Sequence, residues 1–372
     1  MSDCPKRLIL GYLPNNRCNL KCDYCYISQL DQWELSDGGF KFSAEHMAKC
    51  LAASRLGGVC LVNLTAQGET LLYKEIVQLV RGILEQGHYI ELVTNATVSR
   101  KVEEILALPG ELLERLEFKI SYHYEELLAR GLFDSFARTV TMIQESPASF
   151  TLELMPYDAI SGKIEEIIAV TESSFGAKCH VTVGRNDSLK SRGLLTAMNR
   201  DEYASRWGKF ESAMFDFKME LRGVRRKEFC YAGDWTLWVD FSTGEARQCY
   251  GQPSNQNIFN DPLKPIKFCA VGKHCVQPFC INGHAFLSLG AIPELSAPTY
   301  FDTRNRAMRD GGNWLKTPCA EFFSKKLVDS NKEYSKCEKA KNNLLFPVRY
   351  ILWSVRSFSE TKQKILARLR KH

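Results

Sequence analysis

The chain has 372 residues, 45% apolar and 25% charged, with a formal net charge of +6. That length suits two domains, or one with a substantial appendix, and the apolar and aromatic content excludes a disordered chain. Residues 339–372 carry nine Lys/Arg against one Glu, so the body itself is slightly acidic and no nucleic-acid partner is expected. The N-terminus lacks a signal-peptide pattern and no run of about 18 apolar residues exists, which reads as a cytoplasmic protein.

From Leu8 to Arg185 short β-like runs alternate with helical patterns. The strand candidates are LILGYL (8–13), VCLVNLT (59–65), YIELVT (89–94), LEFKISY (116–122), TLELM (151–155) and CHVTVG (179–184). Between them Ser43 and Asp134 are expected to N-cap the first and fourth helices, and Gly87 and Gly176 to end two others. Strand–helix repetition of this kind predicts right-handed βαβ units and a parallel sheet. Six repeats fit a partial or complete barrel. Alternation sets Lys119, Ser121 and His123 on one face of the fourth strand, opposite Phe118, Ile120 and Tyr122. Glu153, Asn63 with Thr65, and His180 with Thr182 alternate with apolar neighbours in the same way. A closed barrel fills its interior with branched apolar side chains. A polar inner face predicts an open lumen that holds a ligand.

Residues 186–228 read as polar and helix-rich, 229–295 as rich in Cys, Gly and Pro, and a basic helical tail begins near 340. The expected division is a barrel at 1–190, a helical linker at 191–228, a small domain at 229–295 and a helical extension at 296–372.

Fourteen cysteines in a reducing compartment point to metal binding or catalysis rather than disulfides. In RCNLKCDYCY, Cys18, Cys22 and Cys25 follow the first strand, at the end of the barrel where such folds place their chemistry. Three thiolates can hold three irons of a [4Fe–4S] cluster and leave the fourth iron free for another ligand. A structural zinc site would want a fourth close ligand.

CNLKCDYC resembles the CxxxCxΦC signature of the radical SAM superfamily, with Tyr24 as the aromatic beside the last cysteine. The resemblance covers residues 8 to about 190. It implies a (β/α)6 partial barrel, and a cluster whose open iron chelates the amino and carboxylate groups of S-adenosylmethionine (SAM). It further implies reductive cleavage of SAM to a 5′-deoxyadenosyl radical that takes a hydrogen atom from the substrate. AQGET stands where the family has GGE, which aligns Gly68 and Glu69 and puts Gln67 in place of the first glycine. TNAT resembles the family's TNG-type ending and makes Asn95 a candidate near the ribose. Ser121 matches a frequent ribose or carboxylate contact, and Arg185 is placed to pair with the SAM carboxylate. His123 and Glu153 have no generic family role and are candidates for binding or deprotonating substrate.

A second set opens with Cys230, thirteen residues, Gly244, four residues and Cys249. TLWVDF and EARQCY read as a hairpin turning at Ser242-Thr243-Gly244, which brings Cys230 and Cys249 together. Cys269, Cys275, Cys280 and His284 follow. The opening resembles the Cx9–15Gx4C motif of the SPASM and twitch domains of radical SAM enzymes, and the later spacing departs from the SPASM pattern. One auxiliary [4Fe–4S] cluster is therefore expected, on Cys230, Cys249, Cys275 and Cys280, with Cys269 as the first alternate. A zinc ribbon-like site is the other reading. Cys4, Cys50, Cys60, Cys179, Cys319 and Cys337 stand alone, with Cys60 and Cys179 as small core residues.

In the tail, Val348, Leu352, Val355, Leu366 and Leu369 form one helical stripe, with Arg349, Arg356, Lys364, Arg368 and Lys371 largely off it. The stripe is expected to dock on the body, with peripheral contact to an anionic membrane as the alternative.

The expected function is a radical SAM oxidoreductase or related modifying enzyme, performing dehydrogenation, epimerisation or crosslinking. Its auxiliary cluster would assist oxidation or hold the substrate, and a flavodoxin- or ferredoxin-like protein would supply electrons. Only 17 residues precede Cys18, too few for a leader-peptide domain at that end. This favours a small polar substrate such as a sugar, polyol or aminocyclitol over a ribosomal peptide. The rival from another class is a non-catalytic iron–sulfur electron-transfer protein, which leaves the three-cysteine loop at a barrel mouth without a purpose.

Overall fold

The computed structural model describes residues 4–33, 39–188 and 192–369, and the side chains of 356–369 lie outside the described part. Six parallel strands form its first half: β1 (Arg7–Leu13), β2 (Cys60–Ala66), β3 (Tyr89–Thr94), β4 (Leu116–Tyr122), β5 (Ser149–Leu154) and β6 (His180–Val181). They pair in sequence order, with Ile9 opposite Val62, Val62 opposite Ile90, Leu92 opposite Phe118 and Ile120 opposite Leu152. Each crossover carries a helix: α1 (Ala44–Cys50), α2 (Ile76–Glu85), α3 (Ser99–Leu106), α4 (Phe133–Glu145) and α5 (Ile164–Phe175). All six expected strands are present, and the fold is the (β/α)6 partial barrel.

The helix ends follow local chemistry with one exception. The Ser43 hydroxyl accepts the His46 N–H at 3.2 Å and caps α1. Gly176 closes α5 at φ +80° and Gly87 follows α2 at φ +86°, conformations that glycine adopts without strain. Asp134 does not cap α4. Gly131, at φ +62°, delivers the chain into the helix earlier, so Leu132 is the cap residue and Asp134 falls in the first turn.

The outer faces of the strands supply Val62, Leu92, Phe118, Ile120 and Leu152 to the core beneath the helices. The inner faces differ along the sheet. Leu8, Leu10, Leu61 and Tyr89 join a second core made with the C-terminal half, where Tyr89 stacks on Phe322 of α8 (Thr317–Phe323) at 3.8 Å. Along β3–β5 the inner face carries Glu91, Glu117, Lys119, Thr151 and Glu153.

That polar wall is closed from below by a plug around residues 300–316. The fully buried Arg304 lies with its Nε 2.8 Å from Glu91 Oε2 and 4.0 Å from Glu117 Oε1. Tyr300 donates its hydroxyl to Glu91 and receives a bond from Arg304 Nη2 at 2.8 Å. Thr151 Oγ1 donates to the Arg304 carbonyl at 2.8 Å, and His180 Nε2 lies 3.1 Å from the Asn305 carbonyl. A lone charge here would be costly. The plug pairs Glu91 and binds Thr151 and His180, while both Glu117 oxygens stay without a hydrogen bond among the described residues.

Helices α6 (Arg200–Trp207) and α7 (Ala213–Leu221) follow β6, with α7 packed against that strand. The chain then returns to the sheet. Strand β7 (Thr236–Asp240) pairs in parallel with β1, and β8 (Glu245–Arg247) and β9 (Gln256–Asn257) continue antiparallel from it. The expected hairpin is β7–β8, with Gly244 at φ +79°. Among the described residues the sheet has nine strands in the order β6-β5-β4-β3-β2-β1-β7-β8-β9.

The last helix, α9 (Lys336–Leu369), is anchored by Asn342 and Phe346, the latter 3% exposed and stacked on His274. The expected docking of its apolar stripe is not what the structure shows. Val348, Leu352 and Val355 are 57%, 64% and 65% exposed, because the helix leaves the body beyond Phe346. Leu366 and Leu369, with Arg356, Lys364, Arg368 and Lys371, lie outside the described side chains. Among the described residues no helix is long and apolar enough to cross a membrane.

Two outcomes follow from this packing. Deleting residues 351–372 should change unfolding free energy by less than about 1 kcal/mol, since Ile351, Leu352 and Val355 are exposed; urea titration reads this directly. The second concerns Glu117, whose carboxyl is pushed up to about 8 by burial and then by Glu91, against the pull of Arg304. Between the ordinary carboxylate range and about pH 8 the folded chain binds more protons than the unfolded one, so stability should fall as pH rises there. Glu117→Gln should flatten that slope and be at least as stable as the parent at pH 8. A parent whose stability climbs from pH 5.5 to 8, with the variant unchanged, would contradict the assignment.

Candidate functional site

The loop after β1 carries Cys18, Cys22 and Cys25 and folds on its own polar groups. Asn15 Oδ1 accepts the Arg17 N–H at 2.7 Å, and the Cys22 carbonyl accepts from Cys25 N at 3.0 Å and Ser28 Oγ at 2.8 Å. The segment after β2 clamps it. Gly68 N donates to the Asn15 carbonyl at 2.7 Å and Glu69 N to the Arg17 carbonyl at 2.9 Å. A Cβ on Gly68 would sit 1.9 Å from the Arg17 carbonyl oxygen, so only glycine permits this approach.

The Glu69 carboxylate is committed to the protein. It accepts from Thr94 Oγ1 at 2.6 Å, Asn95 N at 2.8 Å and Leu71 N at 2.9 Å. Asn95 Nδ2 donates to Asn19 Oδ1 at 2.9 Å and lies 3.8 Å from Cys18 Sγ. The loops after β1, β2 and β3 are thus laced into one rim.

His123, at the end of β4, faces this rim. Its Nδ1 lies 2.5 Å from the Tyr24 hydroxyl and 3.3 Å from Cys22 Sγ. Desolvation lowers the imidazole to about 4, which leaves it neutral. Tyr24 also packs on Tyr157 with ring centres 4.5 Å apart. Ser121 and Arg185 line the same cavity, and Arg185 Nε pairs with Asp187 Oδ1 at 2.6 Å.

Below the rim the cavity encloses about 500 Å³. Its deep wall holds Asn63, Glu91, Lys119, Glu153, Thr182 and Lys218. Lys119 Nζ lies 2.9 Å from Glu153 Oε2, and Lys218 Nζ lies 2.5 Å from Thr182 Oγ1. Burial pushes the Glu153 carboxyl up, but Lys119, Lys218 and Arg304 prevail and hold it at about 2. It is an anion at neutral pH. Tyr250, Asn282 and His284, from the second cysteine segment, complete the wall.

A smaller cavity of about 40 Å³ lies behind that wall, lined by Cys230, Cys249, Cys275 and Cys280 together with Phe286 and Leu287. Burial raises the Cys230 thiol to about 12 and pushes Cys249 and Cys280 up as well. Tyr250, Ile281 and Asn282 line both cavities, and Asn282 Nδ2 donates to the Tyr250 hydroxyl at 2.8 Å. Cys269 is not brought to this group. Its N–H is held by the Gly233 carbonyl and its own carbonyl by Gln248 Nε2, which sets its sulfur 3.5 Å from Gln248 Nε2 instead.

Both donor sets suit iron–sulfur clusters. Among the described residues no three His, Cys, Asp or Glu side chains are arranged to hold a single metal ion. Three thiols around one rim and four around one apolar cavity match a cluster, in which each thiolate has its own iron. Sequence reading missed Lys218, Tyr250, Asn282 and Arg304. Each sits in a helix or loop with no periodic or spacing signal and reaches the site only through tertiary contact. His284 carried one signal, its position four residues after Cys280.

Residues 12–145 match the family model of the Radical SAM superfamily. A PqqA peptide cyclase from Rhodopseudomonas palustris (strain ATCC BAA-98 / CGA009) is 30% identical over 122 residues, 33% of this chain and 30% of that protein. The chain thus matches less than a third of that relative's length. Streptococcus suis SuiB bound to precursor peptide SuiA is 16% identical, with 70% of this chain and 64% of that chain covered and a TM-score of 0.45. The anSMEcpe structure with bound AdoMet and Cp18Cys peptide is 16% identical, with 94% and 99% covered and a TM-score of 0.46.

The clamp between Gly68 and Arg17 is directly testable. Gly68→Ala should force the cysteine loop off the β2 segment, lowering stability by about 1–3 kcal/mol and reducing iron retained at the rim. Unchanged melting and iron content would mean that the two loops are not in contact.

Proposed function

We propose that this chain, whose residues 12–145 match the Radical SAM superfamily model, is an enzyme that removes a hydrogen atom from a small polar group held in the barrel lumen. Cys18, Cys22 and Cys25 would hold the [4Fe–4S] cluster. The Gln67–Gly68 backbone, Asn95, Ser121 and Arg185 would hold SAM, with Tyr24 beside them. When bound and given one electron by an external reductant, the cluster and SAM would supply methionine and a 5′-deoxyadenosyl radical, a strong hydrogen-atom acceptor. His123 fixes the Tyr24 hydroxyl and the Cys22 side chain, and so acts through the cysteine loop. Glu153, ionised and recessed, is placed to accept a proton or a hydrogen bond from the substrate. Cys230, Cys249, Cys275 and Cys280 would hold an auxiliary cluster behind Tyr250 and Asn282.

The observation that carries this reading is the single cavity that runs from the three-cysteine rim to a charged floor, sharing a wall with the four-cysteine cavity. About 500 Å³ lies within the range of ligand pockets and suits SAM together with one small group. The similarity to a PqqA peptide cyclase favours a second reading, in which that group is a side chain of a peptide.

The test is anaerobic reconstitution, chemical reduction and measurement of 5′-deoxyadenosine. The parent should release it from SAM, and Cys22→Ala should fall to background. Iron should reach about eight per chain, fall to about four when Cys275 or the three rim cysteines are replaced, and stay near eight for Cys269→Ala. Stoichiometric zinc in the C-terminal segment would overturn the auxiliary-cluster assignment. Deuterium transfer from labelled polyols and amino sugars, or from a labelled peptide, identifies the substrate class.

A further inference from the structure

Below the rim, where hydrogen bonds from Thr94, Asn95 and Leu71 hold Glu69 without a cation, the charges of the described residues balance pairwise except at one point. Arg304 faces Glu91, with Glu117 held in its neutral form by burial and by Glu91. Arg185 faces Asp187, and Lys119 faces Glu153. Lys218 has no acid of its own. It reaches in from α7 and, among the described residues, hydrogen-bonds only the neutral Thr182 hydroxyl and shares Glu153 with Lys119. Burial, and then Lys119, Arg185 and Arg304, pull its ammonium down to about 7 against the opposing pull of Glu153. Beside it His284 is 6% exposed and lines the cavity, and its Nδ1 is buried without a hydrogen-bond partner. Desolvation, followed by Lys218 and Lys119, drives His284 well below its ordinary range. It is neutral and has a free ring position.

We propose that the deep end of the lumen, where Lys119 and Lys218 flank Glu153 and His284 lies beside the two lysines, binds a carboxylate of the substrate. The proposal rests on the reading of this cavity as the substrate site. One unbalanced ammonium calls for one negative charge, which a carboxylate supplies and a phosphate dianion exceeds. Its two oxygens can accept from Lys218 and from His284, satisfying both groups. The location separates this anion from that of SAM. Lys119 precedes His123 by four residues of one extended segment, so it lies about 13 Å deeper than the rim. The carboxylate would therefore anchor the far end of the substrate and leave its C–H bond toward the cysteine rim.

The test uses full-length reconstituted protein with SAM, under non-reducing conditions, so that binding is read without turnover. Ligand-observed NMR compares glutarate with glutaramide, and a short Glu-containing peptide with its Gln counterpart. At least one acid should bind and its amide should bind about tenfold more weakly. Lys218→Met and Lys218→Gln should each weaken acid binding about tenfold and leave SAM binding unchanged. Binding of glutarate assigns the carboxylate to a free acid, and binding of the peptide alone assigns it to a peptide side chain. Absence of binding by either acid, or equal binding by parent and both folded variants, overturns the proposal. SAM cleavage on reduction is scored separately: acid binding that depends on Lys218 in a protein that cleaves no SAM would reject the enzymatic reading and keep the carboxylate site.

Discussion

A guanidinium buried between two glutamate carboxyl groups organises this molecule. Arg304 enters the barrel from the C-terminal half and meets Glu91 and Glu117 on the inner face of the sheet. Without it the lower wall of the barrel would hold two acids shielded from water, an arrangement that proteins avoid. With it, the wall is closed by a polar plug that also takes up Thr151 and His180. The upper wall remains open. The plug therefore sets the depth of the lumen and makes the C-terminal half a necessary part of the barrel.

The same logic explains how the two cysteine sites come to share a wall. The short helical turn at Gly283–Phe286 presents His284 to the lumen, while the neighbouring Asn282 and Ile281 line both cavities. Tyr250, next to Cys249 in the chain, sits in the same wall. Residues adjacent in sequence to the four-cysteine cavity thus form one side of the chamber below the three-cysteine rim. Tyr250, Ile281 and Asn282 thus separate the two cavities.

Much of this was legible from residues alone, for specific reasons. The six strands announce themselves because apolar and polar side chains alternate with period two, as in Phe118-Lys119-Ile120-Ser121. Cys18, Cys22 and Cys25 lie within one loop, so local spacing suffices to find them. Cys275 and Cys280 line one small cavity with Cys230 and Cys249, and the backbone around Cys269 is bound to Gly233 and Gln248. What stayed hidden depends on distant partners. Nothing near Lys218 or Arg304 in sequence marks them as inward-facing, and their roles come from elements far away in the chain. The tail misled for the opposite reason. An apolar stripe at helical spacing says that a helix can dock, and says nothing about whether a surface is there to receive it.

The parallel pairing of β7 with β1 has a consequence for synthesis on the ribosome. Leu8 pairs with Thr236 and Tyr12 with Asp240, partners translated roughly 10–45 s apart at 5–20 residues per second. Once β2 has been made, β1 has it on one side and an open row of backbone donors and acceptors on the other, the kind of edge that invites pairing with a second nascent chain. The strand that exposes this edge leads directly into the three-cysteine loop. Arrival of β7 covers it, and the same step brings Cys230 and Cys249 to the barrel, so the vulnerable edge is sealed as the second cysteine site is put in place.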